Sequence, residues 1–216
     1  VALQPVVSGV GWGTRAAESP QRLPTLSLGD PTDERSRAAQ PPSPGPLAGV
    51  TVIDMTSMWA GPLATSLLAE AGAEVIKVEP SCRLDGMRGT PEMFTILNKN
   101  KTFADLDLRR TGDRASFLDL VARADIVIDS FSPRVMPNLE LTRPALVEAG
   151  GQSLLTLSMP AFPPGHRRSW IAYGTGVHAA SGLGDLGDGR FAAPFVSYPD
   201  PMAGLTAFTT MLALLV

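Results

Sequence analysis

The sequence predicts an α/β fold, a doubly wound and mostly parallel sheet, and three observations point there. Short β-branched runs alternate with amphipathic helical stretches from residue 47 onward. Gly and Pro punctuate several of the changes of period. The 216 residues are 44% hydrophobic, enough for one sizeable core and a linker.

The elements follow in order. Residues 1–46 are rich in Pro, Gly, Ser and Arg and close on Gln40-Pro41-Pro42-Ser43-Pro44-Gly45-Pro46. Such a stretch cannot build a packed core and reads as a linker. Gly49 to Asp54 is a short, β-branched, buried strand. Ala60 to Gly72 is a helix with Leu63, Leu67 and Ala71 on one face and glycine at its end. Glu74 to Val78 is the next strand. Asp113 to Ala124 is a helix whose Phe117, Leu120, Val121 and Ala124 recur at helical spacing. Ile126 to Asp129 is a strand, Pro144 to Ala149 a short helix, and Ser153 to Ser158 a further strand. Ligands of such sheets sit beyond the carboxyl ends of the strands, which directs attention to residues 55–62, 79–101, 129–136 and 159–175.

Composition excludes several classes of function. A formal net charge of −3 gives no electrostatic footprint for nucleic acid or an anionic membrane. No apolar run approaches the roughly 18 residues that span a bilayer. Cys82 stands alone, so no intrachain disulfide forms and a reducing, cytoplasmic setting fits. His166 and His178 have no ligand partners at usable spacing, so no metal site is expected. Starting on Val1 and stopping inside an apolar run, the chain reads as a piece of something longer.

Some segments carry a chemical reading beside a bland one. Met55 to Pro62 follows a strand and opens a helix, a place where small residues approach a phosphate closely, although no dinucleotide or P-loop fingerprint is present. Asn98 to Lys101 is either a solvated turn or, through Lys99 and Lys101 with Arg109 and Arg110 nearby, an anion site. Gly182 to Gly189 is a turn without the spacing of a calcium loop. Pro201 suits the first position of a helix, which puts Asp200 at the N-cap. The helix dipole there favours an ionised carboxylate, so Asp200 is either a structural cap or a nucleophile.

Taken together, several segments resemble one family. They are Pro46–Thr56 (PLAGVTVIDMT), Ala60–Thr65 (AGPLAT), Leu68–Pro80 (LAEAGAEVIKVEP), Leu97–Lys101 (LNKNK), Ala104–Leu108 (ADLDL), Ala124–Phe131 (ADIVIDSF) and Ala179–Gly182 (AASG). An aspartate followed at the fourth position by glycine, Asp200 and Gly204, closes the series. They are similar to the opening of family III (CaiB/BaiF) CoA-transferases, relatives of formyl-CoA transferase, carnitine CoA-transferase and methylacyl-CoA racemase. The resemblance covers about residues 46–216 and implies a Rossmann-like large domain, incomplete at its C-terminus, over 47–216.

The resemblance implies that coenzyme A, bound as acyl-CoA, is a substrate and not a permanent cofactor. It also implies a carboxylic acid as the acceptor and Asp200 as the group that attacks the thioester. It places CoA contacts at Met58, Ala60, Leu106, Arg109, Ser130 and Phe131, with Arg109 facing phosphate charge. Tyr173 and Gly174 would neighbour the substrate. Racemase relatives hold a histidine at the Tyr173 position, so transfer is favoured over racemisation. Gly174 stands where relatives place an acidic residue, and Pro80, Ser130 and Asn138 stand where they often place a CoA-binding arginine or asparagine. These departures keep a non-catalytic CoA-binding or scaffolding role in view. Leu28 to Glu34 resembles the family's C-terminal tail, which implies a tandem fusion with 1–46 as tail plus linker. The family also implies an interlocked homodimer, or a pseudo-dimer within one longer chain, and a piece cut at Val216 is expected to be poorly stable or inactive alone.

Overall fold

The computed structural model describes residues 45–215 except 187, 189 and 193. The tail-like Leu28 to Glu34 and all but the last two residues of the linker lie outside the described residues.

The elements run β1 (Thr51–Met55), α1 (Ala60–Glu70), β2 (Glu74–Val78), a 3-10 turn (Gly86–Gly89), α2 (Pro91–Asn98), β3 (Lys101–Ala104), α3 (Thr111–Val121), β4 (Ile126–Asp129), α4 (Val135–Asn138), α5 (Arg143–Gly150), β5 (Leu155–Ser158), α6 (Gly174–Ala180) and α7 (Pro199–Leu215). The sheet has the order β3-β2-β1-β4-β5, and all four pairings are parallel. Alternation along each strand sends neighbouring side chains to opposite faces. Val52 therefore joins Leu68, Ala207 and Met211 under α1 and α7, while Ile53 joins Phe117, Val121 and Leu146 under α3 and α5. Strands buried on both faces are mostly apolar, which explains their β-branched runs, and Asp54, Lys77 and Asp129 are the buried charged exceptions.

Gly204 allows α7 to cross α1 closely. A Cβ there would lie 2.6 Å from the Ala60 carbonyl oxygen, so no larger residue fits without moving a helix. This contact fixes where Asp200, one turn earlier on α7, stands relative to the loop after β1.

The structure differs from the sequence expectation in places. The sequence reading gives no strand at Lys101–Ala104, where the structure has β3; only Lys101 falls in the segment read as a solvated turn or an anion site. β3 is a short edge strand whose Thr102 and Phe103 are exposed, so it lacks the apolar run of a central strand. Helices α2, α4 and α6 add turns between the anticipated elements. The helix expected over Asp113–Ala124 starts and stops earlier, at Thr111–Val121. α7 starts at Pro199, so Asp200 occupies its first turn and not its N-cap. Prolines 199 and 201 both fall where helical N–H groups have no intrahelical partner, so neither obstructs the start.

Candidate functional site

The chain moves outward from β1 to β2 and β3, then returns to β4 on the other side. That reversal opens a crevice at the carboxyl ends of β1 and β4. Two loops meet there, where the Ser57 N–H donates to Ser130 Oγ at 3.1 Å. Met58 adopts a left-handed backbone, φ 70°, which is costly for a side chain of this size. Its N–H donates to Asp85 Oδ1 at 2.9 Å, and this bond helps to hold the unusual conformation. Asp85 is in turn paired with Lys77 at 3.2 Å, and Lys77 Nζ donates to the Thr56 carbonyl at 2.7 Å. Glu79 accepts the Asp85 N–H at 2.6 Å and takes both nitrogens of the Arg88 fork at 2.9 and 2.6 Å.

Behind this loop lies a second buried pair. Lys101 Nζ donates to Asp54 Oδ2 at 2.9 Å and to Thr65 Oγ1 at 2.8 Å, with both charged side chains fully shielded from solvent. Burial alone would raise the Asp54 carboxyl, but Lys101, Lys77 and the Thr56 and Thr65 hydroxyls outweigh it and hold it at about 2. The β1–α1 loop is thus held by two charge pairs, Lys77–Asp85 at the crevice wall and Asp54–Lys101 behind it.

The crevice deepens into a cavity of about 570 Å³. Met58, Ala60, Leu106, Arg109, Ser130, Phe131, Tyr173, Gly174 and Asp200 all line it, brought together from five separate stretches of chain. Pro80 lines it too, whereas Asn138, at the end of α4, is not among its lining residues. Asp200 is partly buried, and its Oδ2 accepts a short hydrogen bond from the Ser197 hydroxyl. The carboxylate rests on the α-carbon of Gly174, at the start of α6, so that a Cβ built there would overlap both Asp200 Oδ2 and Ser197 Oγ. Tyr173 precedes it and is 72% exposed at the rim.

A sequence model described as CoA-transferase family III matches residues 47–216. The chain belongs to CoA-transferase family III. Acetyl-CoA:oxalate CoA-transferase of Acetobacter aceti is 34% identical over 146 residues, covering 64% of this chain and 38% of the relative. The succinyl-CoA–L-malate CoA-transferase alpha subunit of Chloroflexus aurantiacus is 37% identical over 153 residues, covering 65% of this chain and 35% of the relative. A crystal structure of a CAIB/BAIF family protein from Brucella suis superposes with a TM-score of 0.73 at 26% identity, covering 80% of this chain and 50% of that one. The chain therefore spans little more than a third of these curated relatives' length.

Within this family III framework the charges fall differently from the sequence reading. Lys101 is neither a solvated turn residue nor an anion ligand, because it is buried on Asp54, while Lys99 is exposed. Its position at the first residue of an edge strand, facing inward, carried no period that could reveal it. Arg109 reaches the cavity but forks onto Asp107, with 2.8 Å bonds from Nε and from a terminal nitrogen. That pairing raises the Arg109 pKa further and draws the Asp107 carboxyl well below the usual range. Arg83 also lines the cavity, and Arg134 and Arg168 line an adjoining pocket that shares Ser132 and Pro133 with it. None of these three has a carboxylate partner among the described residues. The sequence reading missed them, as it missed Lys77, Asp85 and Ser197, since only the fold brings them to the crevice.

Cys82 is an exposed lining residue whose sulfur lies 3.3 Å from the Arg109 guanidinium. His166 is exposed, whereas His178 is buried beside Phe191 with its Nδ1 unbonded among the described residues. No group of three metal-ligating side chains occurs among the described residues, and none of their helices is long and apolar enough to cross a membrane.

Proposed function

We propose that this chain supplies the CoA-binding half and the acyl-accepting carboxylate of a CoA-transferase that moves CoA between an acyl-CoA and a carboxylic acid. The observation that carries the reading is the convergence of Asp200 with Met58, Ala60, Leu106, Arg109, Ser130 and Phe131 on one cavity at the sheet's switch point. The activities printed for the Acetobacter and Chloroflexus relatives point the same way. Arg83, Arg134 and Arg168 offer unpaired positive charge to a ligand rich in phosphate.

In this mechanism an Asp200 oxygen attacks the thioester carbonyl, the C–S bond breaks, and CoA leaves as thiolate. The resulting aspartyl anhydride is attacked by that thiolate at Asp200 Cγ, which releases the donor as a carboxylate and leaves an aspartyl-CoA thioester. The acceptor carboxylate attacks the thioester, and the thiolate freed again takes the acceptor acyl group. Asp200 sits in the first turn of α7 and lines the cavity in which the thioester would lie. The cavity needs to hold CoA throughout, since the thiolate leaves and returns twice.

Treating the full-length protein with acyl-CoAs and then hydroxylamine tests the proposal. A hydroxamate on the peptide holding Asp200, absent from Asp200→Ala, is the expected outcome. An unmodified peptide across a broad panel of acyl-CoAs, despite measurable CoA binding, would instead favour a non-catalytic CoA-binding half. Retention of the acyl α-hydrogen in deuterium oxide separates transfer from racemisation. The reading extends to assembly. Exposed Phe195, Met202 and Leu205 support an interlocked homodimer or an intrachain pseudo-dimer that covers them. Light scattering on the full-length protein checks this, and a monomer holding a single unit contradicts it.

A further inference from the structure

We infer that Ser197 is a second catalytic group, whose hydroxyl aims one oxygen of Asp200 and then stabilises the oxyanion formed on the other. The inference rests on the reading of Asp200 as the acyl acceptor.

Ser197, three residues before Asp200, stands in a Ser-x-x-acid pattern that ordinarily marks a helix cap. In a capping box the serine oxygen accepts an N–H of the first turn. Here the hydroxyl donates to Asp200 Oδ2 instead, and the Asp200 N–H is satisfied by the Ser197 carbonyl oxygen at 3.2 Å. The hydroxyl is therefore committed to the carboxylate and not to the helix. Gly174 makes the arrangement feasible, because both bonded oxygens rest where a Cβ would stand.

Oδ2 is occupied by the hydroxyl, so Oδ1 is the oxygen left to attack the thioester. Oδ2 then remains as the carbonyl oxygen of the aspartyl anhydride. When the CoA thiolate adds to Cγ, the C=O electron pair moves onto Oδ2, toward the Ser197 O–H. Collapse of this adduct restores the Oδ2 carbonyl, breaks the Cγ–Oδ1 bond, and expels the donor carboxylate carrying Oδ1. The hydroxyl keeps its proton throughout. A donor already aimed at the oxygen that gains charge needs no reorganisation during the step, and removing one such donor costs about 10²–10³-fold in rate.

The test is a rapid-quench single turnover of the full-length protein with acyl-CoA alone, following by mass the CoA adduct on the Asp200 peptide. Ser197→Ala is expected to form the adduct about 10²-fold more slowly. CoA affinity and the circular-dichroism spectrum are expected to match wild type, and Ser197→Thr, which keeps the hydroxyl, is expected to recover most of the rate. Adduct formation by Ser197→Ala at close to the wild-type rate overturns the inference, as does an equal loss in Ser197→Thr. Absence of any adduct in wild type overturns the Asp200 reading itself, and this inference falls with it. The two failures are therefore distinguishable.

Discussion

On the β2–β3 side of β1, the buried charges face opposite charges: Asp54 with Lys101, Lys77 with Asp85, and Glu79 with Arg88. On the β4–β5 side, Asp129 is buried with only the Phe131 N–H and the Ser158 hydroxyl as partners, at 3.0 and 3.3 Å. The two aspartates sit one register step apart on adjacent strands, since Met55 pairs with Asp129 and Asp54 with Ile128. Burial raises both carboxyls, but Asp54 ends at about 2 and Asp129 at about 6. A cation within contact distance accounts for the difference. The paired side is a fixed support for the β1–α1 loop. Among the described residues, His178 Nδ1 on α6 is the buried side-chain nitrogen or oxygen that lacks a hydrogen-bond partner.

The largest effect expected from this contrast comes from breaking the paired side. Asp54→Ala leaves the Lys101 ammonium buried without its counter-charge, a change that typically costs about 3–5 kcal/mol. Asp200→Ala removes a partly buried carboxylate bonded to one hydroxyl, so it should leave thermal stability close to wild type while ending adduct formation. Denaturant midpoints for the two variants of the full-length protein check the contrast. Equal loss of stability in both would mean that the paired side is not a rigid support.

The legibility of the sequence divides along the same line. Central strands announce themselves, because burial on both faces demands continuous β-branched runs: Glu74–Val78 and Ile126–Asp129 were anticipated to the residue. The edge strand β3 has no such run, so its first residue, the inward-facing Lys101, reads in the sequence as part of either a solvated turn or an anion site. The Asp54–Lys101 pair spans 47 positions in the chain, a separation at which no local pattern operates. The resemblance to family III placed nine residues that the fold gathers on one cavity, but it said nothing of Ser197. Ser197 is meaningful only once the direction of its hydroxyl is known. Gly174 read as a lost acidic group in the sequence and reads in the structure as the space that the Asp200 carboxylate occupies.

A smaller effect, of opposite sign, sharpens the comparison through pH. Asp129 has a folded pKa raised from 3.8 to about 6, so folding favours its protonated form. Its contribution to stability is fully present below about pH 4 and is lost as pH rises toward 6. Asp54 behaves the other way: its folded pKa is depressed, so its contribution is present above about pH 4 and is lost as pH falls toward 2. Asp129→Asn keeps an oxygen that can accept from the Phe131 N–H and the Ser158 hydroxyl, and it removes the ionisation. The stability of this variant relative to wild type is therefore expected to increase between pH 4 and pH 6.5, by about 2–3 kcal/mol for a two-unit shift. Paired denaturation curves at the two pH values measure it. A difference independent of pH would mean that Asp129 is solvated or paired in solution, and the contrast between the two sides of β1 would then be one of geometry and not of charge.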